Sequence, residues 1–145
     1  MTTRVADVLR AKSSVVWTTT PESIVFEAIA VMADHGIGAL PVTENGRLVG
    51  MLSERDYTRK IALRDRSSKV TRVAEIMTWP VVTVTPNTSV DECMRRMSSH
   101  GIRHLPVIDG EDLVGIISSK DLMRCIINDQ DQLIHQLENY IAGVA

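Results

Sequence analysis

His35-Gly36-Ile37-Gly38-Ala39-Leu40-Pro41-Val42 returns 65 residues later as His100-Gly101-Ile102-Arg103-His104-Leu105-Pro106-Val107. At the same spacing Gly50-Met51-Leu52-Ser53-Glu54-Arg55-Asp56 returns as Gly115-Ile116-Ile117-Ser118-Ser119-Lys120-Asp121. Residues 21–61 align with 86–126 without a gap, and 17 of those 41 pairs are identical, far more than chance supplies. A unit repeated at this length is marginal alone and implies two copies sharing one fold about a pseudo-twofold axis, with clefts along the seam.

Each copy reads strand, helix, strand, strand, helix, an α+β unit. Val15-Val16-Trp17-Thr18-Thr19 and Val81-Val82-Thr83-Val84 are β-branched runs that predict strands. Thr20-Pro21 and Thr85-Pro86 predict helix starts, a hydroxyl cap ahead of a proline at the first helical position. The stripes Val25, Ala28, Ile29, Met32 and Val90, Cys93, Met94, Met97 have helical spacing and belong to the core. Gly36 and Gly101 end these helices, and His35 and His100 suit the negative end of the dipole, which explains both histidines structurally. Asn45-Gly46 and Asp109-Gly110-Glu111-Asp112 predict hairpins, and Pro41 and Pro106 predict edges or bulges within them. After Ser53 and Ser118 the apolar pattern turns helical again, through Tyr57, Ile61 and Leu63 and through Leu122, Cys125 and Ile126.

The resulting organisation is repeat 1 over residues 1–66, a polar linker over 67–71, repeat 2 over 72–127 and a C-terminal helix over 128–145. That last helix carries Leu133, Ile134, Leu137, Tyr140 and Ile141 on one face, which the repeat does not account for. Residues 4–9 also resemble 72–77 at a shift of 68, so the first copy carries three extra residues around 10–14.

Composition narrows the function. Hydrophobic residues make up 44% and aromatics only 3%, so the core is aliphatic. A net charge of −2 offers no general attraction to nucleic acid or anionic membrane, and any anion site must be local. No apolar run approaches a bilayer span, and the N-terminus lacks a signal-peptide pattern, so the expected compartment is the cytoplasm. Cys93 and Cys125 have no metal-ligand spacing and read as small core hydrophobes.

Ser53-x-x-Asp56 and Ser118-x-x-Asp121 stand where a strand hands over to a helix. An isolated SxxD is a capping-box variant. The same geometry also makes an anion site: backbone N–H groups and the helix dipole favour phosphate, and a carboxylate one turn on can accept from two ribose hydroxyls. Arg55 and Lys120 occupy matching positions, equally readable as phosphate contacts or solvated side chains. Arg103 and His104 replace Gly38 and Ala39, which equips one cleft better for phosphate and predicts unequal sites.

The duplicated H-G-I-x-x-L-P-V and G-h-h-S-x-x-D segments, where h is apolar, resemble a CBS domain pair, or Bateman module, over nearly the whole chain. The resemblance implies tandem repeats in pseudo-twofold packing that bind an adenosine-containing regulatory ligand (AMP, ADP, ATP, NAD or S-adenosylmethionine) and no catalytic cofactor. By resemblance Asp56 and Asp121 hold ribose and Ser53 and Ser118 approach phosphate. Backbone around Val16 and Thr18, and around Val82 and Thr83, lines the adenine pocket. The run from Ser53 to Lys60, Arg66-Ser67-Ser68-Lys69 and Glu138-Asn139-Tyr140-Ile141-Ala142-Gly143 resemble a stand-alone subgroup of bacteria and plant organelles. Leu122 and Cys125 replace Tyr57 and Lys60 in the second copy. Family behaviour implies a homodimer.

Three functions compete. A nucleotide sensor signals to a separate effector protein or through self-association. A scaffold uses the SxxD pairs only as caps. A nucleotide-processing enzyme needs a metal cluster, an activated nucleophile or paired carboxylates, none of which the sequence offers convincingly, so the expectation is no enzyme, no metal and no nucleic-acid or membrane partner.

Overall fold

A computed structural model describes residues 3–12 and 15–143. Repeat 1 contains α2 (Val25–His35), β1 (Ala39–Glu44), β2 (Arg47–Ser53) and α3 (Glu54–Lys60). Repeat 2 contains α5 (Val90–His100), β3 (His104–Asp109), β4 (Asp112–Ser118) and α6 (Ser119–Ile141). Two short helices, α1 (Val5–Arg10) and α4 (Val73–Ile76), precede the repeats. The helices α2 and α5 both end on a glycine in the left-handed conformation, Gly36 and Gly101, each at φ 62° and ψ 37°. Each hairpin is a two-stranded antiparallel sheet. Asn45 and Gly46 both take positive φ, as the tight turn between twisted strands requires. A bulge follows each strand proline, between Val42 and Thr43 and between Val107 and Ile108.

The short helices are exchanged. Val73 and Ile76 of α4 join the core of repeat 1 with Val25, Met32, Leu40 and Leu52. Val5 and Val8 of α1 join the core of repeat 2 with Val90, Cys93, Leu105 and Ile117. Backbone bonds fix the exchange at equivalent points: Val25 N–H donates to the Thr71 carbonyl and Val73 N–H to that of Ser23, while Val5 N–H donates to Thr88 and Val90 N–H to Thr3. Neither repeat therefore completes its core from its own contiguous residues.

Several expectations change. The β-branched runs before α2 and α5 form one parallel bridge each, Thr19 with Val42 and Val84 with Val107, because Pro21 and Pro86 turn the chain two residues later. Thr20-Pro21 and Thr85-Pro86 open turns rather than helices. Ser23 N–H donates to the Thr20 carbonyl and Thr88 N–H to that of Thr85, and the helices begin four residues after the prolines. Met94 is 39% exposed rather than core, and Leu63 lies exposed on a 3₁₀ turn after α3. The apolar residues from Leu133 onward extend the same continuous 23-residue helix that starts at Ser119. Ser13 and Ser14 of the three-residue insertion, and the last two residues of the expected C-terminal segment, lie outside the described residues.

Candidate functional site

Both SxxD segments form complete capping boxes at the starts of α3 and α6. Ser53 Oγ accepts from Asp56 N–H (3.1 Å), and Asp56 Oδ2 accepts from Ser53 N–H (3.0 Å) and Ser53 Oγ (3.1 Å). In the second copy Ser118 Oγ accepts from Asp121 N–H (3.2 Å) and Asp121 Oδ2 from Ser118 N–H (2.8 Å). Each carboxylate is only 9% exposed, so each needs a cation or further donors. Asp56 Oδ1 takes them from Thr78 Oγ1 (3.0 Å) and Lys60 Nζ (3.1 Å). Asp121 takes Lys12 Nζ at 2.7 Å. Burial alone would raise the Asp121 pKa, but the Lys12 ammonium and the Ser118 N–H outweigh it and hold the carboxyl below its ordinary 3.8.

A cleft of about 660 Å³ lies along the seam. Repeat 1 contributes Ser53, Glu54, Arg55, Asp56, Arg59 and Lys60. The other wall carries Thr78, Pro80, Val81 and Val82, then Ile102, Arg103 and His104. Of the residues expected in a site, the structure thus brings Ser53, Arg55, Asp56, Val82, Arg103 and His104 together. Ser118, Lys120, Asp121, Val16, Thr18 and Thr83 lie outside this cleft. The Thr83 carbonyl is bonded to Arg96 of α5 (2.7 Å), and Trp17, between Val16 and Thr18, stacks on His35 with ring centroids 3.6 Å apart.

The cleft is basic: four cationic side chains face two carboxylates in a chain whose net charge is −2. Arg55 is already engaged, donating to the Gly101 carbonyl at the end of α5 (2.7 Å) and tying the repeats together. The Arg59 and Arg103 guanidinium groups make no hydrogen bond or ion pair among the described residues. Burial keeps the His104 imidazole below its ordinary 6.5. Asp121 pulls it upward, while Lys12 and Arg103 push it down. Gly38 lies against the His104 imidazole, where a Cβ would stand in ordinary contact, 3.4 Å from His104 Cε1 and 3.5 Å from Glu54 Oε1.

Sequence reading passed over Lys60, Arg59, Thr78 and Lys12. The first two carried a signal, standing four and three residues after Asp56 on one helix face. Thr78 and Lys12 reach the carboxylates only through the exchange of the short helices.

A paired repeat with exchanged helices and a basic seam cleft defines a tandem-repeat module. The chain belongs to the CBS domain family, whose signature matches residues 5–63 and 73–128. It is 38% identical over 151 residues to the mitochondrial CBS domain-containing protein CBSX3 of Arabidopsis thaliana, covering 97% of this chain and 73% of that protein. A putative signal-transduction protein with CBS domains from Burkholderia ambifaria superposes with a TM-score of 0.85 at 49% identity, covering 88% of this chain and 96% of the other. The CBS domain pair of protein MJ0100, in complex with 5′-methylthioadenosine and S-adenosyl-L-methionine, superposes at 0.78 with 28% identity, over 89% and 99% of the two chains. No helix among the described residues is long and apolar enough to cross a membrane.

Proposed function

We propose that the chain is a regulatory sensor binding a phosphorylated adenosine ligand, of the AMP, ADP, ATP or NAD type, in the cleft between Asp56 and Arg103. The observation that carries this reading is one cleft holding a buried ribose-type acceptor, Asp56, together with two guanidinium groups, Arg59 and Arg103, that have no protein partner among the described residues. Val81 and Val82 offer an apolar wall and backbone edge for the base. Ser53 and the first turn of α3 face a phosphate, and His104 adds a polar group beside it. The ribose diol exchanges for Thr78 or Lys60 on Asp56 Oδ1. Lys60 is suited to that exchange because its side chain is long and partly exposed.

The MJ0100 pair binds ligands without phosphate. Four basic groups in this cleft favour an anion over the sulfonium cation of S-adenosylmethionine by simple Coulomb attraction. A ligand here touches both repeats, so a change in their relative orientation alters affinity, which is the requirement for sensing. The output passes to a separate effector protein or to self-association, for which exposed Ile134, Leu137 and Ile141 of α6 supply an apolar face to a second copy. No step in this reading is catalytic, and no resident metal or cofactor enters it.

Calorimetric titration with ATP, AMP, NAD and S-adenosylmethionine tests the proposal. The phosphorylated ligands are expected to bind and S-adenosylmethionine to bind more weakly. Silence from all four at millimolar concentration, or tightest binding by S-adenosylmethionine, rejects it. The complete capping boxes favour the scaffold reading as a rival, and that reading predicts the same silence.

A further inference from the structure

The two Asp residues look equivalent in sequence, but the chain treats them differently. Up to the end of the short helices the halves match. A Cβ on Gly50 would meet Met77 Sδ at 2.6 Å, and one on Gly115 would meet Leu9 Cδ2 at 2.7 Å, so α4 lies against β2 as α1 lies against β4. Beyond that point they diverge. In the first half Thr78 pairs with Met51 through both backbone bonds, N–H to carbonyl at 2.8 Å and carbonyl from N–H at 3.0 Å, and its hydroxyl reaches Asp56 Oδ1.

In the second half the three-residue insertion falls at this point of the sequence. There Lys12 Nζ donates to the Ile116 carbonyl (2.9 Å) and to Asp121 Oδ2 (2.7 Å). Ile116 and Asp121 stand 65 residues after Met51 and Asp56, so one ammonium serves the carbonyl and the carboxylate that Thr78 serves with its N–H and its hydroxyl, taking on Asp121 the oxygen that also accepts from Ser118 N–H. The substitution also solves a charge problem. Cys125 stands where Lys60 stands in the first copy and cannot neutralise the carboxylate, while Arg124 reaches only 4.0 Å from Oδ1 with an exposed side chain. Lys12 is the remaining cation, and it arrives from a different segment.

We infer that Lys12 is a tethered cation that neutralises the carboxylate of the second repeat, so that the chain holds one nucleotide, at Asp56, and uses Ser118 and Asp121 as a latch for the N-terminal segment. The inference rests on the nucleotide reading of the Asp56 cleft. The two lysines differ in how firmly they close their sites. Lys60 shares Asp56 Oδ1 with Thr78 at 3.1 Å, donates to the Ile76 carbonyl (2.8 Å) and lines an open cleft. Displacing Lys12 breaks the shorter of the two ion pairs, 2.7 Å against 3.1 Å, made by the less exposed lysine, 30% against 42%.

The test is calorimetric stoichiometry with AMP on the wild type, on Lys12→Ala and on Lys12→Ala combined with Asp121→Asn. The expected result is one AMP per wild-type chain, two for Lys12→Ala, and one again for the double variant. Two AMP on the wild type, or one on Lys12→Ala, overturns the latch and leaves the nucleotide reading standing. No AMP on any of the three overturns both. Binding by Lys12→Ala alone sustains the latch and rejects the Asp56 cleft. Should Lys12→Ala not fold, amide shifts of the wild type on adding AMP decide. Shifts confined to residues 53–60, 78–82 and 102–104 support the latch, and equal shifts at 116–121 refute it.

Discussion

Replacing Asp56 by Asn separates a ligand-binding carboxylate from a structural cap. Asn keeps an oxygen that can accept from Ser53 N–H, so the capping box loses little; what goes is the negative charge facing Lys60 and the cleft. The Lys60 pair is an i,i+4 contact with a partly exposed lysine and contributes roughly 0.3–0.5 kcal/mol. Adding a weakened cap brings the expected stability loss to about 1 kcal/mol, a fall in Tm of roughly 3 °C for a chain of this size.

Ligand binding should suffer more. A hydrogen bond to a charged acceptor contributes about 1.5–3 kcal/mol, and Thr78 and Lys60 already satisfy Oδ1 in the free protein, so only one such bond is counted as net gain. Its loss corresponds to a roughly 10- to 150-fold weaker Kd for ATP. Asp121→Asn has an equivalent cap and loses the shorter Lys12 pair, so it serves as the control: a destabilisation at least as large, with an unchanged Kd. Calorimetric titration and thermal unfolding of the same preparations give both quantities. Asp56→Asn binding ATP within twofold of the wild type would refute the assignment of ribose to this carboxylate.

Other outcomes follow from the same geometry. Asp121 has a folded pKa below 3.8, so its stabilisation is complete above that value and is lost as pH falls through the lowered one. Lys12→Met should remove most of this acid-side dependence, and an identical acid limb in the variant would count against the ion pair. His104 is held below 6.5 in the free protein, and a phosphate in the cleft favours its charged form. ATP should therefore raise the His104 pKa in an NMR titration and bind more tightly as pH falls toward the lowered free-protein value; no movement of that resonance would place the phosphate elsewhere. Removing residues 131–145 takes away no buried side chain among those described, so Tm should hold while light scattering shows loss of self-association; an unchanged oligomer would shift the interface to another face.

What the sequence made legible is whatever depends on neighbours along the chain. The hairpin at Asn45-Gly46, the left-handed caps at Gly36 and Gly101 and the SxxD boxes each follow from a few adjacent residues whose backbone requirements are local. Thr20-Pro21 misled because a hydroxyl before proline satisfies a β-turn as well as a helix start, and only the bond from Ser23 N–H back to Thr20 distinguishes them. The inequality of the clefts was half visible. Arg103 and His104 against Gly38 and Ala39 pointed to one better-equipped side, and both do line the cleft of Asp56. The other half turns on Lys12, which lies 109 positions from Asp121 and meets it only because α1 crosses to the second repeat. In the sequence this insertion reads as a loss of register. In the folded chain Lys12 supplies Asp121 with the charge that Cys125 cannot. A chain carrying Lys at position 125 with Lys12 intact would crowd two ammonium groups onto Asp121. Cys125→Lys should consequently weaken the Lys12 contact and recover stability only when Lys12→Ala is added, a coupling that a double-mutant cycle reads directly.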